Sequence, residues 1–174
     1  MARLKTIPDA DVHAAIRQLL VAGGDKAVAF ASVARATGLA APTLVQRFKT
    51  RELMLRAALL AAWDQLDAAI IRAEAEAPMQ AKGAQTLMKS LAASCPDAVD
   101  ITLLAVDFRD AALRQRALNW RNRVESALAV RLGSGVRGQE TAAILFAAWQ
   151  GQMLWQIAGG KGFRLKDAVK RLND

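Results

Sequence analysis

The chain offers little nucleophilic or metal-binding chemistry: one imidazole, His13, one thiol, Cys95, and no tyrosine. A lone cysteine excludes a disulfide framework and a thiolate zinc cluster. A single histidine leaves no material for a histidine-based triad or metal site. Cys95 sits beside Pro96 at an expected helix start, where a helix N-terminus lowers a thiol pKa. With no second cysteine to resolve an oxidised form, it reads as a small buried or capping residue. His13, in the first turns of the first helix, is expected to face solvent. The carboxylate pairs Glu74/Glu76 and Asp107/Asp110 read as solvated faces or caps. No catalytic residue, cofactor or metal is therefore expected. The side chains grouped for recognition lie elsewhere: Ala41, Pro42, Thr43, Gln46, Arg47, Lys49 and Arg51 fall within eleven residues. Glutamine can pair with adenine edges, and arginine and lysine meet phosphates.

These side chains need elements to position them, and composition says which kind. Of 174 residues, 38 are alanine and only 4 are proline, and strand formers are few. An all-β fold is excluded and an all-α fold is expected. Val12, Ile16 and Leu19-Leu20 recur at helical spacing behind Asp9 and Asp11, and Gly23-Gly24 ends that helix. A second helix is expected over Phe30 to Thr37, with Gly38 as its stop. A third covers Ala41 to Phe48, with Pro42 in the first turn, where a missing N–H costs nothing. A long helix follows from Arg51 to about Ala77, striped by Leu55, Leu59, Trp63, Leu66 and Ile70. Further helices are expected over Gln80–Ala93, Val99–Phe108, Asp110–Leu132 and Gln139–Ala158, with a short basic one at the end. That makes about nine. Gly133-Ser134-Gly135 and Gly138 read as a flexible loop.

Residues 30–48 run helix, tight turn, short helix, the helix-turn-helix plan. Ala34 is small where two helices approach, and Gly38 permits positive φ. Leu39 plugs the corner, and Leu44 and Phe48 anchor the second helix. Ala41, Pro42, Thr43, Gln46 and Arg47 then point away from the core, and such a helix fits the DNA major groove. The charge balance agrees. The whole chain carries +8, and residues 1–56 hold 9 basic and 4 acidic groups. A basic head favours an anionic partner.

The run Gly38-Leu39-Ala40-Ala41-Pro42-Thr43-Leu44-Val45-Gln46-Arg47-Phe48-Lys49-Thr50-Arg51-Glu52-Leu53 resembles the signature of TetR/AcrR-type transcriptional regulators. Those read G-[VL]-S-x-x-T-L-Y-x-x-F-x-x-K-E-x-L. Ile16, Leu19-Leu20, Phe30 and Val33-Ala34 also fall where that family places them, so the resemblance covers about residues 9 to 60. Three positions depart from the pattern. Ala40 stands in place of a capping serine, Val45 in place of a frequent tyrosine, and Arg51 in place of lysine. The resemblance implies a three-helix DNA-binding head, residues 1–50, and a helical effector-binding and dimerisation body, residues 51–174. It implies a homodimer on a near-palindromic operator in double-stranded DNA, and a small-molecule effector that changes the spacing of the two heads.

On this footing Thr43 and Gln46 are expected at base edges or phosphates, and Ala41 and Pro42 at apolar contacts. Arg47, Lys49, Arg51 and Ser32 are expected at phosphates, with Arg3 and Lys5 forming a minor-groove arm. Trp63, Leu66, Met88, Phe108, Trp120, Trp149 and Met153 are candidates for an effector pocket, lined by aromatic and thioether groups. The helix from Gln139 lacks the charged face of a surface helix. Ala143, Ala147 and Gly151, with Leu154 and Trp155, are therefore expected at a dimer interface. The uncharged stretch Thr141–Gly160 is long enough to span a bilayer. Gln150, Gln152 and Gln156 within it make it a buried soluble helix instead. No signal-peptide core follows the basic N-terminus. A cytoplasmic, ligand-responsive regulator, a repressor, is the expectation. The alternative is a helical ligand-binding or protein-interaction module with weakened DNA contact, motivated by Ala40 and Val45.

Overall fold

A computed structural model of the chain describes residues 7–94, 108–133, 135–162 and 164–173. Eight α-helices and one 3-10 turn make up the described residues, with no strand among them. The helix expected over Val99–Phe108 lies outside the described residues up to position 107, as do Cys95 and Asp107.

Helix α1, Asp9–Gly23, carries Asp9 and Asp11 in its first turn, where carboxylates oppose the positive end of the dipole. Val12, Ile16 and Leu20 recur every four residues and are fully buried. A 3-10 turn, Asp25–Ala27, leads to α2, Phe30–Thr37. The Ser32 hydroxyl accepts from the Ala29 N–H at 2.9 Å and donates to the Ala27 carbonyl at 2.6 Å, so it closes the start of α2. Gly38 ends α2 in the left-handed region, φ 75° and ψ 10°, a conformation that costs glycine nothing. Helix α3, Ala41–Phe48, buries Leu44 and Phe48. Its N-cap, Ala40, makes no side-chain cap bond, as the missing serine foretold.

Helix α4, Arg51–Glu76, is capped by Thr50, whose hydroxyl accepts from the Leu53 N–H at 3.1 Å. Its buried stripe holds Leu55, Leu59, Trp63, Leu66 and Ile70. It packs on α1 at one end and on α5, Ala81–Ser94, and α6, Ala111–Leu132, beyond. Asp110 caps α6 by accepting from the N–H groups of Ala112 and Leu113, at 2.7 and 3.2 Å. Helix α7, Val136–Ile157, packs along α6, and α8, Leu165–Asn173, closes on α5 and α7.

Helix α7 begins three residues before the expected Gln139. Gly138 is therefore a helix residue rather than part of the flexible loop. A Cβ there would lie 1.4 Å from the Gly133 carbonyl oxygen, so only glycine lets α6 and α7 meet this closely. Arg131 is a second fastening absent from the sequence expectations. Buried on α6, it donates to the Glu74 and Ala77 carbonyls at 3.0 and 2.9 Å, satisfying the open C-terminal end of α4. Arg116 bridges to Asp64 and Asp67, and Arg123 to Glu74, all at 2.7 Å. These exposed pairs set the register of α4 on α6 more than they stabilise it. No described helix is long and apolar enough to cross a membrane.

Candidate nucleic-acid interface and ligand pocket

Helices α2 and α3 pack against one another through the Gly38 turn, with Val33, Leu44 and Phe48 buried beneath them. Burial of Leu44 and Phe48, four residues apart, fixes which side of α3 is left outside. Pro42, Val45, Gln46, Arg47 and Lys49 are exposed there, and Ala41 and Thr43 are half-buried. Of the five residues expected outward, Pro42, Gln46 and Arg47 are exposed and Ala41 and Thr43 only half-buried, while Val45, 43% exposed, joins them.

The cations on this face differ in what they already hold. Arg47 pairs with Asp9 at 3.0 Å and donates to the Ile7 carbonyl at 3.4 Å, tying α3 to the start of α1. Arg51, half-buried, is engaged within the chain. It donates to the Val28 carbonyl at 2.6 Å and to the Asp25 carbonyl, and pairs with the Asp25 carboxylate at 2.9 Å. Its guanidinium thus clamps α4 to the 3-10 turn, which leaves it little capacity for a phosphate. Lys49 is exposed and has no ion-pair partner among the described residues. The same holds for Lys26 and Arg35, which the sequence reading passed over because they fall outside the family signature. Ser32 is half-buried and already bonded to Ala27 and Ala29, just ahead of α2. Arg3 and Lys5 lie outside the described residues.

His13 is a correction. It does not face solvent but packs against Phe48, with ring centroids 6.0 Å apart. Its Nε2 is buried without a partner. Loss of water holds its pKa below the ordinary 6.5, with nearby Arg17 and Arg47 acting the same way against Asp9.

The body contains a pocket of about 410 Å³ between α4, α6 and α7. Trp63, Trp120 and Phe146 are its buried walls. Trp63 and Trp120 meet edge to face at 6.1 Å, and Trp120 and Phe146 at 6.0 Å. The Trp120 indole N–H is taken up by the Leu66 carbonyl at 3.3 Å. Phe108, Arg114, Leu118 and Arg121 form the exposed rim, with Ala117 and Gln150 beside them. Of the seven expected residues, the pocket gathers Trp63, Phe108 and Trp120. Leu66 and Met88 are core instead, buried where helices meet. Trp149 is core too, stacked behind Phe146 at 6.0 Å, and Met153 packs on the core's edge. Phe146, Arg114, Arg121 and Gln150 were missed. Gln150 did carry a signal, as a polar residue inside an uncharged helix.

On α7, Ala142, Leu145, Phe146 and Trp149 face the core, whereas Ala147 and Trp155 are exposed and Ala143, Gly151 and Leu154 half-buried. A Cβ on Gly151 would meet only open space. Val136 and Ile144 join the exposed set, as do Arg137 and Glu140, so the uncovered side of α7 is charged in its first turns and apolar from Ile144 onward.

No protein-family model and no curated protein matches the sequence. Solved structures do match its shape. The TetR family transcriptional regulator PfmR from Thermus thermophilus superposes with TM-score 0.68 at 19% identity, covering 94% of each chain. A proposed transcriptional regulator from Streptomyces coelicolor A3(2) gives 0.65 at 18%, covering 95% of this chain and 96% of its own. The multidrug binding protein EbrR, solved with imidazole, gives 0.61 at 21%, covering 97% and 94%. From the helix-turn-helix head to the last helix, the chain has the fold of the TetR-family transcriptional regulators.

Proposed function

We propose that the chain is a ligand-responsive transcriptional regulator, a cytoplasmic repressor that binds a near-palindromic operator as a homodimer and is modulated by a small-molecule effector. One observation carries this: a helix-turn-helix whose second helix is anchored by Leu44 and Phe48 and leaves Thr43, Gln46 and Lys49 outward on a basic head. Residues 1–50 act as the reading head and 51–174 as the effector and dimerisation body. Thr43 and Gln46 read base edges, and Ala41 and Pro42 make apolar contacts. Lys49 and Arg35 meet phosphates, Ser32 donates to another, and Arg3 and Lys5 enter the minor groove. Arg47 reaches a phosphate at the expense of its pair with Asp9, and Arg51 serves as the internal clamp. The pocket at Trp63, Phe108 and Trp120 takes the effector. The exposed side of α7, with Ala143, Ala147, Gly151, Leu154 and Trp155, meets its counterpart in the second subunit. No catalytic role, metal or cofactor is assigned.

A second reading, a helical ligand-binding or interaction module with weakened DNA contact, draws on the internal use of Arg47 and Arg51 and on Val45. Binding titrations with Gln46→Ala and Lys49→Ala, on a duplex enriched from a random pool and on its scrambled counterpart, separate the two. Gln46→Ala relaxes sequence preference, by roughly 1–3 kcal/mol of discrimination. Lys49→Ala weakens both duplexes alike and lowers the salt slope by about 0.9. Affinities unchanged in both variants favour the second reading.

A further inference from the structure

The pocket is not uniformly apolar, and its charged groups among the described residues are of one sign. Three buried aromatic rings, Trp63, Trp120 and Phe146, make the walls. Two guanidiniums, Arg114 and Arg121, stand at the rim, and no carboxylate of the described residues lines it. The two cations are not equivalent. Arg121 pairs with Glu125 at 2.7 Å, and its guanidinium lies 5.6 Å from the Phe146 ring centroid. Its charge is offset and its position is fixed. Arg114 donates one N–H to the Phe108 carbonyl at 2.8 Å, a neutral acceptor. The nearest acid along α6, Asp110, is committed to the Ala112 and Leu113 N–H groups and to Arg56 at 2.9 Å. Among the described residues Arg114 therefore has no carboxylate partner and keeps spare donors at the pocket, with its orientation already held.

Resting on the reading of this pocket as the effector site, we propose that the effector is an aromatic monoanion, of the aromatic carboxylate class. Its rings lie among Trp63, Trp120 and Phe146, and its carboxylate meets Arg114. A guanidinium fork matches a carboxylate with two parallel bonds, and charge-assisted bonds are the stronger kind. The Gln150 amide, donor and acceptor at once, can orient the polar end without favouring either charge. A ligand of opposite charge would meet two guanidiniums at the rim, which selects against it.

Calorimetric titration of the full chain with three naphthalene probes of similar size tests this: 1-naphthoate, uncharged 1-naphthamide and cationic 1-naphthylmethylammonium. Naphthoate is expected to bind at least ten times more tightly than the amide, and the ammonium most weakly. Arg114→Met brings naphthoate down to the level of the amide, whose own binding falls by much less, Arg114→Lys restores part of the difference, and Arg121→Met keeps naphthoate above the amide. Equal or tighter binding of the ammonium overturns the proposal. So does an anion preference that survives Arg114→Met, or no binding of any probe at millimolar concentration. The same probes added to protein on an enriched duplex keep the two claims apart. Arg114-dependent naphthoate binding with no change in duplex affinity upholds the anion site and sinks the regulator. Duplex affinity that responds to the amide or the ammonium but not to naphthoate does the reverse.

Discussion

Lys49 holds a backbone conformation that lysine rarely adopts. With φ 69° and ψ −58° it is the middle of a γ-turn, closed by the Thr50 N–H donating to the Phe48 carbonyl at 2.8 Å. That turn is strained for any residue with a Cβ, by roughly 1–3 kcal/mol. It joins α3 to α4, so the strain sits between the outward-facing short helix and the long helix that carries the pocket. Lys49→Gly separates the two roles of this residue. Urea denaturation should show a gain of about 1 kcal/mol as the strain is relieved. Duplex binding should at the same time lose one phosphate's worth of salt dependence, a slope change of about 0.9. His13 makes a prediction of opposite kind. Its pKa is lowered on folding, so the unfolded chain binds more protons than the folded one near the imidazole range. Stability is then full above 6.5 and is lost as pH falls from there through the depressed folded value. His13→Leu should flatten stability between about pH 7 and pH 5. A ring titration by NMR that places His13 above 6.5 contradicts this.

At the scale of elements, the corner between α6 and α7 depends on an atom that is absent. The missing Cβ of Gly138 is what allows the Gly133 carbonyl to sit against α7. Gly138→Ala must push the two helices apart and should cost at least about 2 kcal/mol, read as a lowered denaturation midpoint. A change within about 0.5 kcal/mol would show that the corner yields freely. This corner also marks where sequence alone stops being informative. Local signals were legible: the stops at Gly24 and Gly38, Pro42 in the first turn of α3, Asp110 as a cap, and the periodic stripes of α1 and α4. Each depends only on neighbours within a turn or two. Gly138 was misread because its reason lies in tertiary contact, and a glycine-rich run looks like a loop from sequence. Arg131 gave no signal for the same cause. A buried arginine and a solvated one are spelled alike until the carbonyls of Glu74 and Ala77 are placed beside it. The candidate site divides in the same way. The outward set on α3 followed from its buried anchors, whereas the partners of Arg47 and Arg51 lie far along the chain. The pocket was half legible: large aromatic residues were foreseeable as a group, but which of them wall a cavity and which fill the core is decided by packing.

At the scale of the whole molecule, one buried core runs without interruption from Val12 in α1 to Val169 in α8. Head and body share α4, which packs on α1 as far as the Arg17–Gln65 contact and carries Trp63 into the pocket. A rearrangement around Trp63 therefore meets rigid, close-packed helix on its way to the head, and small shifts are transmitted rather than absorbed. Two such heads, joined through the apolar side of α7, would read two half-sites about one helical turn of DNA apart. Selection of a random duplex pool by the purified full chain tests this most directly. The account predicts enrichment of an inverted repeat, with log affinity for it falling linearly against log salt at about 0.9 per phosphate neutralised. A pool left without any preferred sequence, at low salt and in the presence or absence of 1-naphthoate, would contradict it.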